Sequence, residues 1–150
     1  WMLLTKRPEN ILTMWNGSYR PNVWLGCSAE NQEYLDKRLP ELLECRGLSP
    51  VLFLSCEPLL GQIDFHGFRP HRVDLVIAGG ESGPCARASN PDWFRSIRDQ
   101  CLEHDVAFHF KQWGEWAPVP DVGGEYMRRI GKRSAGRLLD GRTHDAYPNG

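Results

Sequence analysis

The chain lacks most of what would mark a specialised class. No apolar run approaches the roughly 18 residues that a bilayer-spanning helix needs, and the start shows no signal-peptide pattern. Charge of one sign is missing too. Lys and Arg number 18 against 19 Asp and Glu, a formal net charge of −1, so no global field draws the protein to nucleic acid or membrane. The five cysteines, Cys27, Cys45, Cys56, Cys85 and Cys101, are odd in number and contain no C-x-x-C pair, which argues against a disulfide framework and a zinc knuckle. Histidines and aspartates are scarce where catalytic ligands would be wanted, which ranks a metal-dependent hydrolase last. What remains, at 150 residues with 41% hydrophobic content, is a folded globule with room for a core, expected in the cytoplasm.

What is present is one pattern written five times. Residues 1–8 read WMLLTKRP, 23–31 VWLGCSAEN, 51–58 VLFLSCEP, 73–84 VDLVIAGGESGP and 106–114 VAFHFKQWG. Each is a short run of β-branched, aromatic or aliphatic residues ending in polar ones, the signature of a parallel strand covered on both faces. In open α/β sheets and in (β/α) barrels alike, ligands sit at the carboxyl ends of the strands. The functional face is therefore expected at the polar tips.

Between the runs, Pro8 and Glu9 start a short helix that ends at Asn16-Gly17. A second helix is expected from about Ala29 to Cys45, capped by Ser28, with Leu35, Leu39, Leu42 and Leu43 on its apolar stripe and a kink at Pro40. The connection Leu59 to Arg72 lacks a helical period. Asn90-Pro91-Asp92 combines an N-cap, an N1 proline and a first-turn acid, and Phe94, Ile97, Cys101 and Leu102 give that helix its buried face. From Gly114 onward, Pro118, Pro120, Gly123 and Gly124 predict irregular structure. Two parts follow: strands and helices over 1–114, and an irregular tail over 115–150 packed on them.

The tips carry the chemistry. Lys6, Arg7 and Lys111 can hold a carboxylate or phosphate; Glu30, Glu57 and Glu81 can accept from ribose hydroxyls or an amine, or act as bases. Asn31, Gln112, Ser28, Ser55 and Ser82 add adaptable polar groups, and the set outlines a mixed-charge pocket for a zwitterionic or nucleoside-containing ligand. Taken singly, each residue has a plain structural role open to it: Ser28 as a helix cap, Glu57 as a partner of Arg7. Gly79-Gly80 lacks the spacing of a dinucleotide loop and the lysine of a phosphate loop; its glycines let the chain turn or a ligand approach the backbone. Trp113 and Trp116 can stack on a base or cover an end of the sheet. His109 alternates within its strand and can face the lumen, while the other histidines read as surface residues. Cys27, Cys56 and Cys85 recur every 29 residues near strand tips; a three-thiolate metal site and small, half-buried side chains are the two readings. Residues 128–142 hold Arg128, Arg129, Lys132, Arg133, Arg137 and Arg142 against Asp140, a nucleic-acid contact or a solvated tail.

Seven ordered stretches, LLTKRPENI, PNVWLGCSAEN, FLSCEPLLG, VIAGGESGP, NPDWFRSIRDQC, FHFKQWGEW and GRLLDGR, resemble the phage-type three-cysteine-motif family of unknown function, whose sequences are similar to those of radical-S-adenosylmethionine proteins. The resemblance implies a (β/α) barrel of TIM or radical-SAM type of which these are the last five βα units, incomplete without an N-terminal part. It implies S-adenosylmethionine and a [4Fe-4S] cluster as cofactors, the cluster cysteines lying in that part and matching none of the five here. Lys6, Arg7, Glu30, Asn31, Glu57, Gly79, Gly80 and Glu81 are then the expected cofactor contacts, and Lys111, Gln112 and Trp113 the substrate contacts. The implied chemistry is reductive cleavage to a 5′-deoxyadenosyl radical and hydrogen abstraction from an unidentified substrate. Nucleic acid, a nucleotide-like substrate or a protein encoded nearby are the expected partners, without a membrane. The alternative is a phage or mobile-element protein that binds nucleic acid without radical chemistry. The exposed strand edges near residues 1–5 and 106–111 also predict aggregation of the chain alone.

Overall fold

The five apolar runs become five parallel strands in the computed structural model, which describes residues 1–65 and 73–148. They are β1 (Met2–Thr5), β2 (Trp24–Ser28), β3 (Leu52–Cys56), β4 (Leu75–Gly79) and β5 (Ala107–Gln112), hydrogen-bonded side by side in chain order. Register runs Leu4↔Gly26↔Phe53↔Leu75↔Ala107 across the sheet.

Strands advancing one place at a time, joined by right-handed crossovers, keep their helices on one face. Helix α1 (Ile11–Met14) is a single turn following a 3-10 turn at Pro8–Asn10; α2 (Gln32–Leu43) and α3 (Pro91–Glu103) are full helices. Leu35, Leu39 and Leu42 of α2 and Phe94, Ile97 and Cys101 of α3 bury against Leu25, Cys27, Leu54, Cys56, Val76, Ala78, Phe108 and Phe110 in one continuous core. The alternate strand positions, Met2, Leu4, Gly26, Phe53, Ser55, Ile77 and His109, point to the opposite face, where no helix lies among the described residues.

The barrel expectation is overturned. The sheet is open: β1 and β5 each pair with one neighbouring strand, whereas a closed barrel pairs every strand on both sides. Nor are there five βα units. The crossover from β1 to β2 holds one helical turn, Leu59 to Phe65 between β3 and β4 is irregular, and β5 leads into a hairpin. The rest of the expected Leu59–Arg72 connection, 66–72, lies outside the described residues.

Local departures have local causes. Asn31, not Ser28, caps α2, its side chain accepting from the Tyr34 N–H, and α2 passes through Pro40 before tightening into a 3-10 helix at Glu44–Leu48. Asn90 caps α3 as its sequence predicts, accepting from the Asp92 N–H with Pro91 at the first helical position. The expected irregular tail contains an antiparallel hairpin, β6 (Trp116–Asp121) with β7 (Gly124–Arg129), and one helical turn, α4 (Lys132–Ala135). Proline is tolerated in β6 because the strand has a partner on one side only. Arg95 and Arg98 of α3 fasten this part down, Arg95 to Glu125 and Asp140, Arg98 to Asp140.

The sheet's edges differ. At β5 the tail adds itself: the Phe110 N–H donates to the His144 carbonyl and His109 bridges antiparallel to Asp145. At β1 nothing among the described residues covers the outer side, and Met2, Leu3 and Leu4 stand exposed.

Candidate functional site at the strand ends

The polar tips converge as the pattern predicts. At the ends of β1 and β2, Lys6 Nζ lies 2.5 Å from Glu30 Oε1, while Arg38 Nη1 reaches Glu30 Oε2 at 2.7 Å and the Ser28 carbonyl at 3.0 Å. Glu30 is buried. Burial raises its pKa, yet the Lys6 hydrogen bond, its own backbone and Arg38 together hold it below the usual carboxylate value. Beyond β4, Glu81 forms a two-pronged pair with Arg87 (2.7 and 2.8 Å) and accepts the Arg87 N–H as well. Arg87's side-chain and backbone hydrogen bonds lower the Glu81 pKa to about 2. A groove of about 730 Å³ runs between these clusters, lined by Lys6, Glu30, Asn31, Tyr34, Arg38 and Arg87 among others. The Arg38 guanidinium stacks 4.2 Å over the Tyr34 ring, which fixes its plane.

A second group faces the bare side of the sheet. Lys111 Nζ lies 3.1 Å from Glu57 Oε2, and the Ser55 hydroxyl donates to Glu57 Oε1 at 3.3 Å. Glu57 thus pairs with Lys111 and not with Arg7. The Glu57 carboxylate occupies the space above Gly79, where an added Cβ would stand 2.9 Å from Oε2.

The expected site residues therefore divide. Lys6, Glu30, Asn31 and Glu81 line the groove, and Glu57 and Lys111 form the neighbouring pair. Arg7 is turned aside, lining an apolar hollow with Leu3, Met14 and Trp15. Gly80 is required by the protein's own backbone: its N–H donates to the Gln112 carbonyl, and a Cβ there would meet the Trp113 carbonyl oxygen at 1.9 Å. Gln112 donates to Ser82 at 3.2 Å. Trp113 is buried edge-on against Phe94 and Phe110, its indole N–H given to the Leu138 carbonyl, and Trp116 gives its own to Ala86. The buried Trp113 indole offers no free face of the kind a stacked base requires.

Two site residues escaped the sequence reading. Arg38 falls three residues after Leu35, beside the apolar stripe of α2, and an arginine at that position is the available signal. Arg87 carried none, since its approach to Glu81 depends on an irregular turn.

Cysteine chemistry is absent from this site. Cys27, Cys45, Cys56 and Cys101 are buried and Cys85 is exposed elsewhere. Burial pushes the thiols of Cys27 and Cys101 up to about 12 and that of Cys56 well above its ordinary value, the opposite of what a thiolate ligand needs. Among the described residues no group of three His, Cys, Asp or Glu side chains is placed to hold a metal ion. Likewise, no described helix is long and apolar enough to cross a membrane.

Fold and site together define an open, parallel α/β domain with a mixed-charge groove at the carboxyl ends of its strands. The chain belongs to the family described as "Protein of unknown function (DUF5131)", whose family model matches residues 1–148. No curated protein and no solved structure matches the chain.

Proposed function

We propose that this chain binds a zwitterionic, nucleoside-containing ligand in the strand-end groove, with S-adenosylmethionine as the first candidate. One observation carries the reading: Lys6 and Arg87, both more than 60% exposed in their side chains, flank the groove as cations beside the fixed carboxylates of Glu30 and Glu81. Lys6 spends one of its three donors on Glu30 and Arg87 keeps Nη1 free of Glu81, so a ligand carboxylate finds donors at both ends. A ligand amine or ribose hydroxyl finds acceptors in Glu30 and Glu81. Such a cofactor supplies group-transfer or radical chemistry once bound; the part of this chain is to hold and orient it. Cys27, Cys45, Cys56 and Cys101 are buried with raised thiol pKa values and do not fit an iron–sulfur cluster.

Calorimetric titration of the chain with S-adenosylmethionine, adenosine and methionine tests the reading. Binding that weakens at least tenfold in Lys6→Ala and Arg87→Ala supports it; both side chains are exposed, so neither change removes core packing. No binding of any of the three at millimolar concentration refutes it.

A second reading rests on Arg128 of β7 and Lys132 and Arg133 of α4, all three exposed. As a nucleic-acid contact this patch would give an affinity that falls steeply with salt. Neutralising the three should abolish binding; a salt-independent affinity would remove the reading.

A further inference from the structure

We infer that the bare face of the sheet carries a separate binding site for a flat, amino-substituted nitrogen heterocycle of the nucleobase class. The inference stands on its own observations and does not require the groove reading.

The face holds a cavity of about 310 Å³ whose apolar walls are Met2, Leu4 and Ile77, with Tyr147 of the tail at one end and Glu57 and Lys111 at the other. Its base is flattened by one sequence choice. Gly26 has no side chain, and the Phe53 ring lies across β2 in its place, so that a Cβ on Gly26 would stand 2.5 Å from the ring. That volume sits at the small end of ligand sites, suited to one or two fused rings rather than a whole nucleotide.

The polar end has a defined order. Glu57 presents carboxylate oxygens beside the Lys111 ammonium, an acceptor next to a donor. An amino group next to a ring nitrogen, the edge of adenine or cytosine, is its complement. His109 supplies the third point. Its Nδ1 is buried without a hydrogen-bond partner, the Asp145 carboxylate being too distant at 3.8 Å. Buried polar atoms left unpaired are uncommon and costly, and the ring that carries this one lines the cavity. Burial first, then Arg137 and Lys111, hold the His109 pKa below its ordinary value against the pull of Glu57. The neutral ring keeps one donor and one acceptor nitrogen, and the Tyr147 ring 5.1 Å away adds an aromatic wall. An apolar ligand would cover the Glu57–Lys111 pair and the His109 ring without giving any of them a new partner, which favours a heterocycle over a hydrocarbon.

Adenine, with toluene as the apolar control, is titrated into the chain while the 1H–15N spectrum is followed. His109→Phe keeps a ring and removes both nitrogens, Ile77→Trp fills the cavity, and Lys111→Met tests the polar end at a side chain too exposed to endanger folding. Adenine is expected to shift the amides around Ile77 and His109, with at least a tenfold loss of affinity in Lys111→Met and in whichever of the other two stays folded. Failure to bind adenine, equal binding in Lys111→Met, or toluene binding as tightly as adenine each overturns the inference. S-adenosylmethionine titrated in parallel separates the two sites: Lys6→Ala should weaken it and leave adenine unchanged. Adenine lost in Lys6→Ala and kept in Lys111→Met would place the base in the groove and overturn the face site alone.

Discussion

The two faces of this sheet are made from the same strands and have opposite jobs. On the helix side, positions from Leu25 through Phe110 share one buried core with α2 and α3, and side chains such as Phe94 and Leu54 are fully buried. On the other side the strands offer Met2 and Leu4 half exposed, a serine, a histidine and an ion pair. Alternation along a strand thus separates stability from chemistry at a spacing of one residue. Side chains that face helices cannot be changed without loss of packing, while neighbours such as Met2, Leu4, Ile77 and His109 are only partly covered and can take a ligand.

The sharpest way to break this contrast is to remove a large side chain from the covered face. Phe94→Ala should cost about 3–5 kcal/mol, read as a shift in the midpoint of chemical denaturation; a loss below 1 kcal/mol would mean that the helix layer is not the main source of stability. On the bare face the corresponding test adds atoms. Gly26→Val must displace the Phe53 ring and should cost about 1–3 kcal/mol, and if stability instead rises, the ring was never locked over β2.

A pH series separates a titratable group of the bare face from those of the tail and groove. His109 and His144 both have pKa values lowered by burial. The unfolded chain therefore takes up their protons first, and stability should fall as pH drops from about 7 towards 5. Replacing His109 by Phe should flatten part of that slope; an unchanged slope would show that the ring is as solvated folded as unfolded. Glu30 acts at lower pH. Its depressed pKa means that its contribution is present above the ordinary carboxylate value and is lost as pH falls through the folded one. The smallest effect is expected at the edge, where Leu4→Lys should alter stability by no more than about 0.5 kcal/mol while reducing self-association measured by light scattering. Unchanged association would mean that the edge is not where copies meet.

The strands were legible because each is an unbroken apolar run with a polar end, a signal that needs no knowledge of neighbours. The cap and proline of α3 were legible for the same reason. Closure was not: whether β1 and β5 meet is a property of the whole sheet, and the same five runs suit an open sheet or an arc of a barrel. Asn31 displaced Ser28 as a cap because the choice between adjacent candidates is made by backbone angles, with Asn31 extended at φ −159°. The hairpin at Trp116–Arg129 was missed because Pro118 and Pro120 were weighed as strand breakers without allowance for an unpaired side. In the site, Lys6, Glu30 and Glu81 were placed by their position after strands, whereas Arg87 is set by a turn that no periodicity encodes.

The tail that bridges to β5 has a consequence for growth. Strand-by-strand polymerisation needs two acceptor ends per subunit, one to receive and one to offer. Here Phe110 already spends its N–H on His144 and His109 is bridged to Asp145, which leaves β1 as the more open edge of the five-stranded sheet among the described residues. Two copies that meet at β1 cover that edge in both. Association through the five-stranded sheet therefore favours a pair over a fibre.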